Sequence, residues 1–494
     1  MTNRPDARGL IADVLDPGSW TSWDERPADA APPGSSYAEE LAAARAKTGY
    51  DESVITGVGL LDGRRVAVVA GEFSFLAGSI GVAAAERLVR AVERATAEGL
   101  PLLAAPASGG TRMQEGALAF VQMVKISAAV AAHRAAGLPY VVYLRHPTTG
   151  GVFASWGSLG HVTAAEPGAM IGFLGPRVFQ SLYGYPFPEG VQVAENLFAH
   201  GLVDAVVSAT EAREVAIRAL SVLCAPRNNP IFPELSEPVE ATARPGAWEA
   251  IMSSRRDDRP GVRTLLRLAA TDVTPLHGTG AGENDPGLLL ALARFGAAPA
   301  IVLGQDRRCT RPLGPAGLRV ARRGMALAAE LGLPLVTVID TGGAALSKEA
   351  EEGGLAGEIA RSLADLVMLD APTVCLLLGE GAGGAALALL PADRVVCAQH
   401  AWLSPLPPEG ASAILYRTVD FAPEIAQAQG VRATDLRKNG IVDRVIPELP
   451  DAAYEHEAFC ARVAKTLEYE IAHLLGRDHG ERRAARLARY RNLG

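Results

Sequence analysis

The sequence contains the segment "EGLPLLAAPASGG" (Glu98–Gly110) and, later in the chain, the similar segment "LGLPLVTVIDTGG" (Leu331–Gly343). Each segment is a short apolar run that ends in Ser-Gly-Gly or Thr-Gly-Gly. A short apolar run bounded by turn residues is consistent with a strand buried in a sheet. The two copies therefore predict two buried strands at equivalent places in two related folds.

Two further pairs of segments repeat in the same order. "LPYVVYLRHPTTGG" (Leu138–Gly151) resembles "APTVCLLLGEGAGG" (Ala371–Gly384), with the same spacing along the chain as the first pair. "ENLFAHGLVDAVV" (Glu195–Val207) resembles "TDLRKNGIVDRVI" (Thr434–Ile446), with a slightly longer spacing. A period of this length is too long for a solenoid. The chain is therefore predicted to contain two copies of one domain.

Short apolar strands alternate with amphipathic helices along both halves, which predicts α/β domains with buried sheets. The expected divisions are an N-terminal extension with a helix over residues 1–50, a first domain over residues 51–235 and a second domain over residues 236–494. The join is expected in "CAPRNNPIFPELSEPVEATARPGAW" (Cys224–Trp248), which is rich in proline.

Composition and charge narrow the class of protein. The chain has 494 residues, of which 49% are hydrophobic and 21% are charged, as in globular proteins. The net charge of −8 argues against a nucleic-acid partner. The cysteines are scattered and form no CxxC pair, which favours a reducing cytoplasm over a disulfide scaffold or a zinc ribbon. They are Cys224, Cys309, Cys375, Cys397 and Cys460.

Neither a signal sequence nor a membrane span is expected. The N-terminal residues "MTNRPDARGL" lack the basic-then-apolar pattern of a signal peptide. The most apolar window, Ala371–Pro391, contains Glu380 and several glycines, so it predicts a buried strand, a turn and the start of a helix. The expected location is cytoplasmic.

Each half places two glycine-rich turns after predicted strands. The first turns are Ser108-Gly109-Gly110 and Thr341-Gly342-Gly343, and the second turns are Thr149-Gly150-Gly151 and Gly383-Gly384-Ala385. Unpaired backbone N–H groups in such turns bind anions, and two of them aimed at a thioester oxygen form an oxyanion hole. One glycine pair after a strand is more often only a tight turn, but four in register across a duplication favour a binding site. The phosphate-loop and dinucleotide-binding motifs are absent.

The chain resembles a known enzyme family from about Tyr37 to its end. In the first half, five segments resemble the β subunit of the bacterial acetyl-CoA carboxylase carboxyltransferase. They are "FSFLAGSIGVAAAERLVRAVERA", "ASGGTRMQEG", "PTTGGVFASWGSLGH", "AEPGAMIGFLGPRVFQ" and "FPEGVQVAENLFAHGLVD". In the second half, four segments resemble the α subunit of the same enzyme. They are "GLRVARRGMALAAELGLPLVTVIDTGGA", "EIARSLADLVMLDAPTVCLLLGEGAGGAALAL", "PPEGASAILY" and "LRKNGIVDRVIP". The resemblance implies a natural β–α fusion with two tandem crotonase-like (ClpP/crotonase) α/β domains of ββα repeats.

The resemblance also implies the reaction. The chain would be the carboxyltransferase of a biotin-dependent acyl-CoA carboxylase, moving CO2 from carboxybiotin to the α-carbon of a short acyl-CoA. Acetyl-CoA, giving malonyl-CoA for fatty acid biosynthesis, is the first expectation, and propionyl-CoA is the second. Biotin would arrive on a separate biotin carboxyl carrier protein, loaded by a biotin carboxylase subunit. In the family, sites form between protomers, so a homodimer or larger homo-oligomer is expected.

The family's roles transfer to particular residues of this chain. The acyl-CoA side would be the first domain, where Gly150 and Gly151 form one oxyanion hole. Substrate binding would involve Ser108, Gly109, Gly110, Thr111 and Arg112. Arg112, in "SGGTRMQEG", is the candidate cation for the CoA phosphates, and a surface salt bridge is the alternative. The biotin side would be the second domain, where Gly383, Gly384 and Ala385 form the other hole and Thr341, Gly342 and Gly343 bind biotin.

Three departures from the family pattern bear on these roles. The β subunits commonly begin with a four-cysteine zinc ribbon, whereas no cysteine precedes Cys224, so no zinc is expected. Ala385 replaces a family glycine, and alanine tolerates a positive φ poorly. The α subunits' Asp-Thr-Pro-Gly-Ala-Tyr is Asp340-Thr-Gly-Gly-Ala-Ala345 here, beside Gly343, and their Ser-Pro-Glu-Gly is Pro407-Pro-Glu-Gly410.

Alternatives remain open at the level of the sequence. A biotin-dependent acyl-CoA decarboxylase subunit or a transcarboxylase subunit would use the same site in related chemistry. An inactive scaffold or regulatory homologue is a non-enzymatic alternative. His146 and His161 flank the second turn of the first half, and lone histidines of this kind are more often structural than catalytic.

Overall fold

The computed structural model describes residues 4–25, 31–227, 233–235 and 245–493. The chain divides into two compact units: unit 1 comprises Met1–Cys224 with Gly280–Gly282, and unit 2 comprises Ala225–Thr279 with Glu283–Gly494. Most of the predicted proline-rich join, including residues 236–244, lies outside the described residues. The predicted boundaries at residues 50 and 235 stay predictions.

Unit 1 is built on one seven-stranded sheet, ordered β1-β2-β3-β4-β5-β7-β9, with a separate two-stranded pair, β6-β8. Its strands are β1 (Thr21–Ser22), β2 (Val54–Leu61), β3 (Arg64–Gly71), β4 (Leu102–Ala105), β5 (Tyr140–Leu144), β6 (Thr148–Thr149), β7 (Val162–Ala165), β8 (Ile171–Gly172) and β9 (Ala205–Val206). Its helices are α1 (Ala7–Val14), α2 (Ser36–Thr48), α3 (Val82–Ala97), α4 (Gly116–Ala135), α5 (Pro176–Tyr183), α6 (Ala194–Ala199) and α7 (Ala209–Leu223).

Unit 2 has a seven-stranded sheet ordered β10-β11-β12-β13-β14-β15-β16. Its strands are β10 (Thr271–Leu276), β11 (Leu288–Phe295), β12 (Ala298–Gln305), β13 (Leu335–Thr341), β14 (Thr373–Gly381), β15 (Arg394–Ala398) and β16 (Arg444–Ile446). Its helices are α8 (Ala247–Ser254), α9 (Val262–Ala269), α10 (Pro315–Leu331), α11 (Lys348–Glu352), α12 (Leu355–Val367), α13 (Gly383–Leu387), α14 (Pro408–Tyr416), α15 (Ala422–Ala428), α16 (Ala433–Lys438), α17 (His456–Leu475) and α18 (His479–Arg491).

The two sheets share one topology, which confirms the predicted duplication. Each starts with antiparallel strands, the hairpin β2–β3 in unit 1 and β11–β12 in unit 2, and continues as parallel strands. The hairpin turn Asp62-Gly63 has positive φ at both residues, 52° and 73°, as a two-residue type I′ turn requires. The central parallel strands β4, β5, β13 and β14 are almost entirely buried and are mostly apolar, as expected for strands covered on both faces.

The core of unit 1 lies between the sheet and its covering helices. On α3, Ala84, Leu88 and Val92 are spaced four residues apart and are buried against the sheet. Tyr140 and Trp156 complete this core. Because carboxyl ends of parallel strands share one edge of a sheet, the turns after β4 and β5 meet there, as do the turns after β13 and β14.

The helix α4 has an exposed apolar face. Together with the turn before it, over Met113–Ala135, it is long and apolar enough to cross a membrane by length and composition, and 33% of its most apolar window is buried. Leu118, Val121 and Val124 are exposed, whereas the Lys125 ammonium pairs with the Glu86 carboxylate at 2.8 Å. Exposed apolar patches also mark protein–protein contacts.

Candidate functional site

The two glycine-rich turns of unit 1 come into backbone contact at the carboxyl ends of β4 and β5. A Cβ atom on Gly150 would lie 3.3 Å from the Cα of Gly110, and one on Gly110 would lie 3.7 Å from the Cα of Gly150. The Thr149 N–H donates to the Ser108 carbonyl at 3.0 Å, which holds the turns side by side. The predicted turns are thus brought together, and their glycines permit the close approach.

The N–H of Gly150 is not a free donor. Gly150 has a φ of 63°, and its N–H points to the carbonyl oxygens of Gly172 at 3.2 Å and Phe173 at 3.0 Å. The prediction that Gly150 contributes an N–H to the oxyanion hole is therefore wrong. Among the described residues, nothing accepts a hydrogen bond from the N–H groups of Gly151 and Val152. This adjacent pair is the candidate donor pair of unit 1.

Unit 2 repeats this arrangement in the same register. Gly383 has a φ of 68°, and its N–H donates to the Ser404 carbonyl at 3.0 Å. Gly383 is therefore a turn residue, and the prediction that it supplies a donor is corrected. The N–H groups of Gly384 and Ala385 meet no acceptor in the part of the chain that the structure describes. The candidate donor pair of unit 2 is Gly384 and Ala385.

Alanine at position 385 imposes no backbone strain. Ala385 lies in α13, outside the positive-φ region, and the positive φ of this turn is carried by Gly383. An alanine there keeps its N–H without the conformational cost that the sequence comparison suggested.

Val152 is a candidate donor that sequence reasoning missed. The residue is fully buried, and no described group accepts a hydrogen bond from its backbone N–H. The signal was available, because the spacing that aligns Gly151 with Gly384 also aligns Val152 with Ala385. After Gly151 the chain continues as turns into a 3₁₀-helix over Trp156–Ser158.

The Ser/Thr-Gly-Gly turns close on themselves through their hydroxyl groups. The Gly110 N–H donates to Ser108 Oγ at 3.0 Å, and the Gly343 N–H donates to Thr341 Oγ1 at 3.1 Å. Gly110 and Gly343 have φ values of 115° and 138°, which favour glycine. These hydroxyls hold the turn backbone, and their roles in ligand binding stay predictions.

The central residues of the same two turns lie at the surface. Gly109 and Gly342 are exposed, although the Gly109 N–H donates to the Ala77 carbonyl at 2.8 Å. Thr111 lies beside the donor pair of unit 1, because its Oγ1 would be 3.2 Å from a Cβ on Gly151. Of the predicted substrate-binding residues, Thr111 therefore has its hydroxyl nearest to Gly151.

Arg112 does not face a substrate phosphate. Its side chain is 1% exposed and pairs through both terminal nitrogens with the Glu52 carboxylate, which is 2% exposed. The guanidinium also donates to the Ser79 carbonyl at 2.7 Å and to the Tyr37 hydroxyl at 3.3 Å. The prediction that Arg112 binds CoA phosphates is corrected, because the guanidinium N–H groups already donate to partners inside the protein.

The two histidines hold backbone rather than substrate. The His161 Nδ1 accepts the Tyr140 N–H at 2.9 Å, and His161 is 1% exposed. The His146 Nδ1 accepts the Met170 N–H at 3.0 Å, and burial lowers the pKa of His146 below its ordinary value. Both rings therefore have structural partners, as the sequence reasoning favoured.

A polar cleft beside the donor turn of unit 2 contains charges that unit 1 lacks at the equivalent positions. It is lined by Arg255, Arg307, Asp340, Glu380 and the turn Thr341–Gly343, among others. By the repeat spacing, Asp340 and Glu380 correspond to Ala107 and Pro147 of unit 1. Glu380 pairs with Arg255, Oε2 to Nε at 3.0 Å.

Asp340 is the most buried charge of this cleft. Its Oδ1 accepts the Glu380 N–H at 3.1 Å, and its Oδ2 lies 3.5 Å from Nη1 of Arg307. Burial raises the pKa of Asp340 to about 6. The carboxylate also explains Gly379, where a Cβ would come within 2.4 Å of Asp340 Oδ1.

Asp340→Asn is expected to change how stability depends on pH. Because the folded pKa is raised from 3.8 to about 6, the folded state binds the proton more tightly, and the wild-type free energy of unfolding falls as pH rises through this range. The variant lacks this loss, so its stability relative to wild type should improve by about 1–2 kcal/mol between pH 5 and pH 7.5. Urea unfolding at both pH values measures the difference. A difference in unfolding free energy between variant and wild type that is the same at both pH values would contradict the raised pKa of Asp340.

A buried cluster of side chains has the residue types of a metal site, but an arginine already balances the charge of its carboxylates. His400, Glu448 and Asp451 lie within ligand distance of one another. The Arg259 guanidinium donates to both carboxylates, with Nη1 2.9 Å from Asp451 Oδ1 and Nη2 2.9 Å from Glu448 Oε1. Arg259 thus occupies the place of a cation, and this cluster is a structural ion-pair network.

Known proteins share this sequence and architecture. Residues 14–480 match the carboxyl transferase domain family. The chain is 61% identical over 485 residues to the probable biotin-dependent acyl-coenzyme A carboxylase beta3 subunit of Mycobacterium tuberculosis (strain ATCC 25618 / H37Rv), covering 97% of each. It is 39% identical over 495 residues to the acetyl-coenzyme A carboxylase carboxyl transferase subunits beta/alpha of Salinispora tropica, covering 96% of this chain and 87% of that relative.

A solved structure shares the fold. The crystal structure of transcarboxylase 12S with methylmalonyl-coenzyme A and methylmalonic acid bound superposes with a TM-score of 0.73 at 22% identity, covering 93% of this chain and 89% of the other. At that identity the likeness is one of fold, and it agrees with two crotonase-like units.

Proposed function

Because the chain belongs to the carboxyl transferase domain family, among the carboxyltransferases of biotin-dependent acyl-CoA carboxylases, we propose that it moves CO2 from carboxybiotin to the α-carbon of a short acyl-CoA. Acetyl-CoA is the first proposed substrate and propionyl-CoA the second. The observation that supports this reaction is the pair of unpaired, adjacent N–H groups present once in each unit, at Gly151 and Val152 and at Gly384 and Ala385.

The two donor pairs fit a reaction in which two oxygens become anionic. In unit 1, the N–H groups of Gly151 and Val152 would stabilise the thioester oxygen as the enolate develops, because preorganised donors act where charge appears. Carboxybiotin, on a carrier protein, would supply the CO2 and a ureido oxygen that takes the α-proton. In unit 2, the N–H groups of Gly384 and Ala385 would stabilise that ureido oxygen. No protein side chain is needed as the base.

Reconstituted carboxylation tests the proposal. The chain would be combined with a biotin carboxylase subunit, a biotinylated carrier protein, ATP and bicarbonate, and carboxylated acyl-CoA would be measured by mass spectrometry. Malonyl-CoA formation from acetyl-CoA is expected, with kcat/KM compared for acetyl-CoA and propionyl-CoA. No carboxylated product from any short acyl-CoA, with partners that serve another carboxyltransferase, would overturn it.

The same assay distinguishes the alternatives. A decarboxylase subunit would release CO2 from a carboxylated acyl-CoA without net ATP-dependent carboxylation, and a transcarboxylase subunit would need a second carboxyl acceptor. An inactive scaffold would bind neither acyl-CoA nor the biotinylated carrier with saturable stoichiometry in titration calorimetry. The proposed location is cytoplasmic, and the absence of zinc stays a prediction.

The chain is proposed to act as a homodimer or larger homo-oligomer. Large apolar side chains are exposed on helices of both units: Leu118, Val121 and Val124 in unit 1, and Ile414, Leu415 and Tyr416 in unit 2. Apolar surface of this kind is expected to be covered by a partner in solution. Light scattering at assay concentration should give at least twice the chain mass of 51.5 kDa. A fully active monomer would contradict the expectation.

A further inference from the structure

Gln305 connects the donor turn of unit 2 to the central strands of the sheet. It is the last residue of β12 and is 2% exposed. Its Nε2 donates to the Ala385 carbonyl at 2.8 Å, and its Oε1 accepts the Asp340 N–H at 3.1 Å. A carbonyl on one side and an N–H on the other allow only one orientation of this amide.

The hydrogen-bond chain continues beyond Gln305. Asp340 Oδ1 accepts the Glu380 N–H at 3.1 Å, and Glu380 lies on β14 immediately before the turn. The start of the turn is held by backbone, since the Ala382 N–H donates to the Thr341 carbonyl at 3.1 Å. Gln305 holds the other end of the turn at Ala385, one of the two donor residues.

Unit 1 holds the equivalent carbonyl in another way. The Val152 carbonyl, which corresponds to that of Ala385, accepts the Gly157 N–H at 3.0 Å from its own following turn. Glu72, which corresponds to Gln305, instead accepts the backbone N–H groups of Ala7 and Ser74, both at 2.8 Å. No described backbone N–H donates to the Ala385 carbonyl. The side chain of Gln305 therefore replaces a backbone contact in unit 2 alone.

We propose that Gln305 is a positioning residue for the second oxyanion hole, acting through the Ala385 carbonyl to fix the direction of the Gly384 and Ala385 N–H groups. This inference rests on the proposed function of that turn. The Ala385 carbonyl shares its peptide plane with the Ala386 N–H, so holding it restricts ψ at Ala385 and anchors the first turn of α13, which contains the Gly384 and Ala385 N–H groups, before any ligand arrives. Preorganised donors need no rearrangement during reaction, which is the source of their effect on rate.

Gln305→Glu is the sharpest test, because it keeps the shape and the acceptor for the Asp340 N–H but removes the donor to Ala385. At neutral pH the introduced carboxylate would face the Ala385 carbonyl, and kcat should fall by about 10- to 100-fold, as expected for misplaced catalytic groups. The KM for acyl-CoA, which is assigned to unit 1, should be nearly unchanged. Gln305→Met, which removes both hydrogen bonds, should lower kcat by a similar factor.

Lower pH should partly restore the Gln305→Glu variant. A protonated carboxyl can again donate to the Ala385 carbonyl, so the ratio of variant to wild-type kcat should rise as pH falls. Asp340, Glu380, Arg307 and Arg255 face the same cleft, so the wild type measured at each pH accounts for their titration. Gln305→Met should show no such recovery. An unchanged ratio for Gln305→Glu would overturn the positioning role.

Amide hydrogen exchange in the chain alone gives a readout that does not depend on catalysis. Exchange in the peptide spanning residues 382–388 should accelerate in both Gln305 variants. Gln399→Glu is the matched control: Gln399 is also buried at the end of a strand in unit 2, but its Oε1 accepts the Glu448 N–H at 3.1 Å, away from the turn. That control should leave exchange at 382–388 and kcat unchanged, whatever its effect on melting temperature.

The outcomes separate this inference from the proposed function. If wild type shows no carboxyl transfer but the variants show faster exchange at 382–388, the turn assignment stands and the reaction is wrong. Suppose instead that the wild type transfers carboxyl groups and that both Gln305 variants keep the wild-type exchange rate at 382–388 and the wild-type kcat. That result would overturn the positioning role of Gln305.

Discussion

Gly151→Val is expected to abolish most carboxyl transfer. A Cβ at this position would lie 3.2 Å from Thr111 Oγ1 and 3.2 Å from Met123 Cγ, and the two further carbons of valine would press on the same atoms. We expect these side-chain contacts to shift the turn, and with it the N–H groups of Gly151 and Val152. Losing one oxyanion donor costs roughly 10²–10³ in kcat, or about 3–4 kcal/mol.

The loss should appear in kcat rather than in stability. Steady-state kinetics and thermal unfolding would be measured on the same preparation, with little change expected in melting temperature because Met123 is a flexible neighbour. Gly246→Ala is the control, since Gly246 has a φ of −59° and no atom within 4 Å of an added Cβ.

Histidine variants complete this test. His146→Ala and His161→Ala should each lower kcat by less than about tenfold, because neither imidazole is assigned a proton to transfer. Loss of the hydrogen bonds to Met170 and Tyr140 should appear in stability instead. Near-normal kcat in Gly151→Val, or abolished kcat in a folded histidine variant, would show that the donor assignment is wrong.

Arg112→Ala is expected to destabilise unit 1 rather than to weaken acyl-CoA binding. The change leaves the Glu52 carboxylate buried without its partner, and breaking a buried ion pair in this way costs about 3–5 kcal/mol. The same truncation opens a cavity next to Tyr37 and Ser79. Urea unfolding of the whole chain would show the loss as a lower midpoint for the transition of unit 1.

The double variant Arg112→Met/Glu52→Leu is the matched comparison. Replacing both charges with apolar groups removes the unpaired carboxylate, so it should be less destabilising than Arg112→Ala alone. A double-mutant cycle with Glu52→Leu gives the coupling energy of the pair. Wild-type stability in Arg112→Ala together with a raised KM for acyl-CoA would instead restore the role of Arg112 as a phosphate ligand.

Much of the architecture could be predicted because it depends on patterns of residues that are close together in the sequence. Apolar runs of strand length, their alternation with amphipathic helices and three repeated segments were enough to predict two α/β units of one topology. Positive φ at Gly150 and Gly383 agrees with the predicted turns, since only the residue's own Cβ decides that preference. These features depend on neighbours along the chain.

The donor pairs could be predicted only approximately. Whether an N–H is free depends on acceptors that the fold brings from elsewhere, here the Gly172 and Phe173 carbonyls that occupy the Gly150 N–H. The choice between Gly150 and Val152 therefore required the tertiary structure. The repeat spacing limited the candidate donors to neighbouring residues of the turn but did not choose between them.

The side chains of the site depended most on tertiary structure. Arg112 looked like a phosphate ligand beside a glycine-rich turn, but its partner Glu52 lies 60 residues earlier in the chain. Gln305 had no motif at all, and its position between Asp340 and Ala385 follows from the order of β12, β13 and β14 in the sheet. The sequence by itself determined where the backbone turns. The tertiary structure decided which polar groups are already paired, because hydrogen bonds and ion pairs form between atoms that are close in space, whatever their separation along the chain.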